Sequence, residues 1–130
     1  MSGISESLAY LPEKTPQFSF LRDHFQKLSA IVVGFQKEDG SFPWQLQAQD
    51  GPSDSSATAM IACAPLRGMD GHYEENVLRA AEYLLAHMKN GRVEQCSAEC
   101  DGFSQYPQRY GSYPWADGPA LRLFGMMEEV

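Results

Sequence analysis

The sequence predicts an all-α fold, and three observations carry that prediction. Four segments place apolar residues three and four apart, the spacing of a single helix face. No pair of segments alternates apolar and polar residues with the period of a half-buried strand. Residues suited to starting or stopping helices fall at the segment ends: Thr15-Pro16, Ser53-Asp54, Asn90-Gly91 and Asp117-Gly118-Pro119.

The first helix is expected from about Pro16 to Gln36. Thr15 suits the N-cap, and Pro16 suits the first helical position, where its missing N–H costs nothing. Phe18, Leu21, Phe25, Leu28, Val32 and Phe35 then form one stripe for a core to bury. Asp39-Gly40 ends the segment. From there to Leu46 the chain reads as a turn and a short extended piece, which Pro43 confines to a loop or a sheet edge.

The second helix starts near Ser53-Asp54 and runs to Ala64, and Pro65 is expected to kink or end it. Small residues lie on all its sides, so neighbours should approach it closely. The third spans about Gly71 to Lys89. Val77, Leu78, Ala81, Leu84, Leu85 and Met88 share one face, Glu74, Glu75, Arg79 and Glu82 lie outside it, and Asn90-Gly91 reads as its stop. The fourth opens at Asp117-Gly118-Pro119 and carries Ala120, Leu121, Phe124 and Met127. Asp54 and Asp117 read as helix caps, and Asp101 before Gly102 as a turn residue.

Between Arg92 and Ala116 lie 25 residues without helical period, among them Phe103, Tyr106, Tyr110, Tyr113 and Trp115. Loops this long in compact domains are functional or disordered, and the aromatics argue against disorder. Two readings stand side by side: rings that stack on the apolar faces of sugars, or a lid packed on helix ends.

Composition sets the outer bounds. With 130 residues, 43% apolar and 21% charged, residues 1–130 read as one globular domain. Ten basic against 17 acidic residues, a net charge of −7, argue against a nucleic-acid partner. The longest apolar run, Ala57 to Leu66, is too short to span a membrane and is broken by Pro65. Met1 to Glu6 lack the pattern of a secretory leader, so a cytoplasmic location is expected. Cys63, Cys96 and Cys100 then read as reduced thiols. Cys96 and Cys100 form neither a redox CxxC nor a zinc set, and His24, His72 and His87 are not spaced to complete one. No metal or other cofactor is expected.

Several segments, read in order, resemble the C-terminal part of the unsaturated glucuronyl and rhamnogalacturonyl hydrolases, glycoside hydrolase families 88 and 105. They are Leu8-Ala9-Tyr10-Leu11-Pro12, Phe35 to Phe42, Trp44-Gln45-Leu46, Ser55 to Ala62, Asn90-Gly91-Arg92-Val93, Tyr110 to Trp115 and Gly118-Pro119-Ala120-Leu121. The resemblance implies part of an (α/α)6 toroid: about four helices in antiparallel hairpins with a long aromatic loop. It also implies polysaccharide degradation, by hydration of the C4–C5 double bond of a terminal unsaturated uronic acid. In that family a carboxyl group, a second acid, a histidine and a Trp-Gly-Arg motif do this chemistry, all preceding the matched region.

This chain has no Trp-Gly-Arg run; its only tryptophans are Trp44 and Trp115. No catalytic residue is therefore assigned. The resemblance places Gln36, Trp44 and Gln45 at the barrel mouth and lets Arg109, Tyr110, Ser112 and Trp115 hold a carboxylate and stack on a ring. Ser55, Ser56 and Thr58 either present hydroxyls to substrate or cap and pack their helix. The function expected is that of a truncated hydrolase-like protein taking an oligosaccharide with an unsaturated uronic acid. It would associate with its own copies or with a missing N-terminal half. A non-catalytic sugar-binding or assembly module is one alternative. A terpenoid-cyclase-like toroid is another, since Gln36 to Phe42 also resembles the cyclases' Gln–Asp–Gly–Trp-type repeat.

Overall fold

The computed structural model describes residues 1–68, 72–101 and 109–128, with backbone only at 65–68. It contains helices α1 (Ser2–Tyr10), α2 (Pro16–Val33), α3 (Ser55–Gly68), α4 (Glu74–Ala86) and α5 (Pro114–Glu128). Two short antiparallel ladders join them: β1 (Met88–Lys89) with β2 (Arg92–Val93), and β3 (Cys96–Ser97) with β4 (Tyr110–Gly111).

α3 is the hub, packing against α1, α4 and α5. Its small side chains permit this: Ala59, Ala62, Cys63 and Ala64 are all buried. One core joins α3, α4 and α5 through Ala80, Leu84, Val93, Ala120 and Leu123. A smaller one joins α1, α2 and α3 around Leu8, Phe25 and Ala64. Phe25 is fully buried, and burial of such a side chain is worth about 1.5–3 kcal/mol. An ion pair between Glu6 and Arg122 ties α1 to α5.

Several expectations are corrected. A fifth helix, α1, precedes the four expected. Its sequence, with one glycine and three serines, has low intrinsic propensity, and only Ser5 and Leu8 are buried, so it rests on tertiary contacts. α3 does not end at Pro65 but runs on to Gly68. α5 opens three residues earlier than expected, with Pro114 rather than Pro119 at its start. Asp117 therefore lies inside the first turn, and its carboxylate accepts from the Val93 amide at 2.9 Å and Arg92 Nε at 2.8 Å. It does not cap the helix.

Asn90-Gly91 is likewise no helix stop. α4 ends at Ala86, and both residues take positive φ (52° and 75°) in the turn between β1 and β2. Paired positive φ angles are what a two-residue hairpin turn requires. Among its described residues, the stretch from Arg92 to Ala116 thus carries three short strands, too brief for periodicity to reveal. Of its aromatics, Phe103 and Tyr106 lie outside the described residues.

The turn after α2 is clamped onto α4. Gln36 Nε2 donates to the Gly40 and Asn76 carbonyls, each at 2.8 Å, while Asn76 Nδ2 donates to Gln36 Oε1 at 2.7 Å. Arg79 Nη2 donates to the Lys37 and Glu38 carbonyls at 2.6 and 3.0 Å. The clamp fixes where the chain re-enters toward α3.

Candidate functional site

At the start of α3, the Asp54 carboxylate is buried and joins two elements. As N-cap, its Oδ1 accepts from the Ser56 amide at 3.1 Å, as expected of a capping aspartate, and both its oxygens take the Ser56 hydroxyl at 3.0 Å. The same oxygens accept from Ser97 on β3, from its amide and its hydroxyl, each at 3.2 Å. The capping aspartate thereby holds the β3–β4 ladder against the helix start.

The ladder in turn holds an aromatic pair. Trp115 Nε1 donates to the Ser97 carbonyl at 3.1 Å. The Tyr113 and Trp115 rings stack with centroids 4.6 Å apart and planes 6° from parallel. Trp115 remains 37% exposed, so part of the indole meets solvent. A flat, partly open aromatic pair whose polar end is already bonded is a surface for an apolar ligand face.

Tyr110, on β4, places its hydroxyl in the interior with no hydrogen-bond partner among the described residues. Burial raises its pKa, and the Asp54 charge adds to the rise. Cys96, fully buried beside it, is pushed up to about 11 by burial and further by Asp54, with Ser56 offsetting part of the shift. Burial likewise raises Cys63. At pH 8 Cys96 is about one-thousandth thiolate, and the thiolate is the reactive form. Alkylation of the folded protein at pH 8 should therefore reach exposed Cys100 and spare Cys96 and Cys63 until the chain is unfolded. Mass spectrometry of the labelled peptides checks this; rapid labelling of Cys96 in the folded state would refute the buried placement.

The other sequence candidates divide. Ser55 is fully buried, its hydroxyl donating to the Glu94 carbonyl at 2.5 Å, and the Ser56 hydroxyl is held by Asp54. The Ser112 hydroxyl donates to the Val93 carbonyl at 3.0 Å. These hydroxyls serve the fold in this structure. Thr58 does the same, donating to the Asp54 carbonyl at 2.8 Å and accepting from the Phe42 amide at 2.9 Å. Arg109 is exposed at the ladder's edge and pairs with Asp101 at 3.3 Å.

Gln36, Trp44 and Gln45 are not part of this constellation. The Gln36 amide is engaged by the α4 clamp. Gln45 is exposed. Trp44 lines a separate apolar groove of about 370 Å³, bounded by α1, α2 and α3 and including Met1, Leu28, Leu46 and Met60. Sequence reasoning missed Ser97, and read Asp54 only as a cap. The Asp-Ser-Ser run was the available signal, but a cap's second partner lies about 40 residues away and leaves no trace in local spacing. Among the described residues, no three of His, Cys, Asp and Glu gather as metal ligands, and no helix is long and apolar enough to cross a membrane.

The family model for Glycosyl Hydrolase Family 88 matches residues 1–128. No curated protein sequence gives a match. Among solved structures, the chain is similar to a possible member of the GH105 family from Salmonella enterica serovar Paratyphi A. The identity is 20% and the TM-score 0.85, over 97% of this chain and 36% of that one. A possible GH105 member from Klebsiella pneumoniae aligns at 18% identity and TM-score 0.83, over 99% of this chain and 39% of that one. A glycosyl hydrolase family 88 protein from Bacteroides vulgatus aligns at 16% and 0.84, over 98% of this chain and 40% of that one. At these identities the likeness is one of fold, and the chain spans only 36–40% of those structures' lengths.

Proposed function

Since the chain belongs to glycosyl hydrolase family 88, we propose that it forms the sugar-binding part of a polysaccharide-degrading hydrolase and does not itself supply the proton. The ligand is an oligosaccharide ending in an unsaturated uronic acid, held by stacking on Tyr113 and Trp115 with Arg109 at the edge for the carboxylate. Copies of the chain, or the remainder of a toroid, close around it. The single observation that carries this reading is the Tyr113–Trp115 pair, stacked and partly open beside the start of α3.

Asp54, Asp117 and Asp101 do not serve as general acid in this reading. Such a group must stand within hydrogen-bond reach of the substrate, with its proton free to move. The oxygens of Asp54 are engaged by Ser56 and Ser97, Asp117 holds Arg92 and Val93, and Asp101 pairs with Arg109.

The test uses the pure chain and a disaccharide with an unsaturated uronic acid. No loss of the absorbance of the C4–C5 double bond is expected, while calorimetry detects binding. Trp115→Ala should weaken that binding about tenfold, the equivalent of roughly 1.4 kcal/mol for an aromatic contact of this kind. Steady bleaching of the double bond would overturn the acid-free reading. Absence of any binding would overturn the sugar reading itself.

A further inference from the structure

Asp54 has a second role that capping does not account for. A helix cap requires one acceptor for the amides of the first turn, and the Ser56 amide already uses Oδ1. Yet the carboxylate also takes both donors of Ser97, a residue on a different element 43 positions along the chain. The Ser97 amide is thereby spent on Asp54, and the Ser97 carbonyl receives the indole N–H of Trp115. One continuous path runs from the start of α3 through Ser97 to the stacked pair at the start of α5.

We infer that Asp54 is a positioning residue, setting the angle and spacing of the Tyr113–Trp115 platform through Ser97. No other side chain among the described residues hydrogen-bonds both the α3 start and Ser97. The inference deepens the sugar-binding reading and rests on it for its consequence in affinity, but the geometry it asserts can be measured without any sugar.

Two substitutions separate capping from positioning. Asp54→Ser retains a good N-cap oxygen but is too short to reach Ser97. Asp54→Asn keeps both the cap and the reach, since the Ser56 and Ser97 hydroxyls can turn to accept from its amide. Near-ultraviolet circular dichroism reports the stacked pair, with Trp115→Phe as the reference for its loss. Asp54→Asn should keep the signal and Asp54→Ser should lose most of it, both at unchanged far-ultraviolet helix content. Affinity for the disaccharide should fall about tenfold in Asp54→Ser and stay within about twofold in Asp54→Asn.

An intact pair signal in folded Asp54→Ser overturns the inference. If that variant does not fold, Ser97→Ala, which removes only the hydroxyl link, must lower the same signal, and an unchanged signal there overturns it equally. A lost signal in a protein that binds no sugar at all supports the positioning role and refutes only the sugar reading.

Discussion

Gly40→Ala should cost the fold about 3–5 kcal/mol and lower Tm by about 10–20 °C. Two effects add. Gly40 has φ +87°, where a residue with a Cβ is strained by about 1–2 kcal/mol. In addition, a Cβ there would stand 2.1 Å from the Arg79 carbonyl oxygen and 2.5 Å from its carbon. Both atoms are backbone of α4, so neither can turn aside. The turn must lift, and with it go the Arg79 bonds to Lys37 and Glu38 and the Gln36–Asn76 exchange. Hydrogen bonds of this kind contribute about 1 kcal/mol each. Gly125→Ala is the control. Nothing lies within 4 Å of its added Cβ, and in a helix the alanine should be neutral or stabilising by up to about 1 kcal/mol. Thermal melts of the two variants decide the matter, and a Gly40→Ala Tm within a few degrees of the parent would show that the turn is not seated on α4.

The same turn shows what the sequence made legible. Asp39-Gly40 was readable as a turn because glycine chemistry is local. The clamp was not, because Asn76 and Arg79 lie some 40 residues further on, and Gln36 was read as a substrate contact when its amide is occupied by α4. Helices α2 and α4 were visible through their apolar stripes. α1 was not, since Ser2, Ser5 and Ser7 dilute its stripe and its stability comes from α3 and α2. Asn90-Gly91 was recognised as a break, but a helix stop and a hairpin turn use the same residues. Only the pairing of Lys89 with Arg92 tells them apart. For the candidate site, Trp115 and Tyr110 stood out by type, whereas Asp54 drew only its nearer role.

The isolated chain is expected to associate rather than persist as a monomer. The argument from small residues on α3 alone is not enough, because α1, α4 and α5 supply that helix with neighbours inside the chain. The surplus lies elsewhere: Phe20 and Ile31 on α2, Leu78 and Leu85 on α4, and Leu121 on α5, which is 74% exposed. The accessible surface is 7821 Å², against about 6900 Å² for a compact monomer of 14.5 kDa. In the similar structures the aligned region makes up only 36–40% of the chain, so most of their polypeptide lies outside it. For the isolated chain the expected cover is a second copy, which by symmetry would meet the same apolar faces on both partners. Sedimentation at micromolar concentration should give a mass at least twice 14.5 kDa. Leu121→Glu should shift the distribution toward smaller species. A compact monomer that unfolds cooperatively, with Tm independent of concentration, would mean that these exposed leucines need no partner.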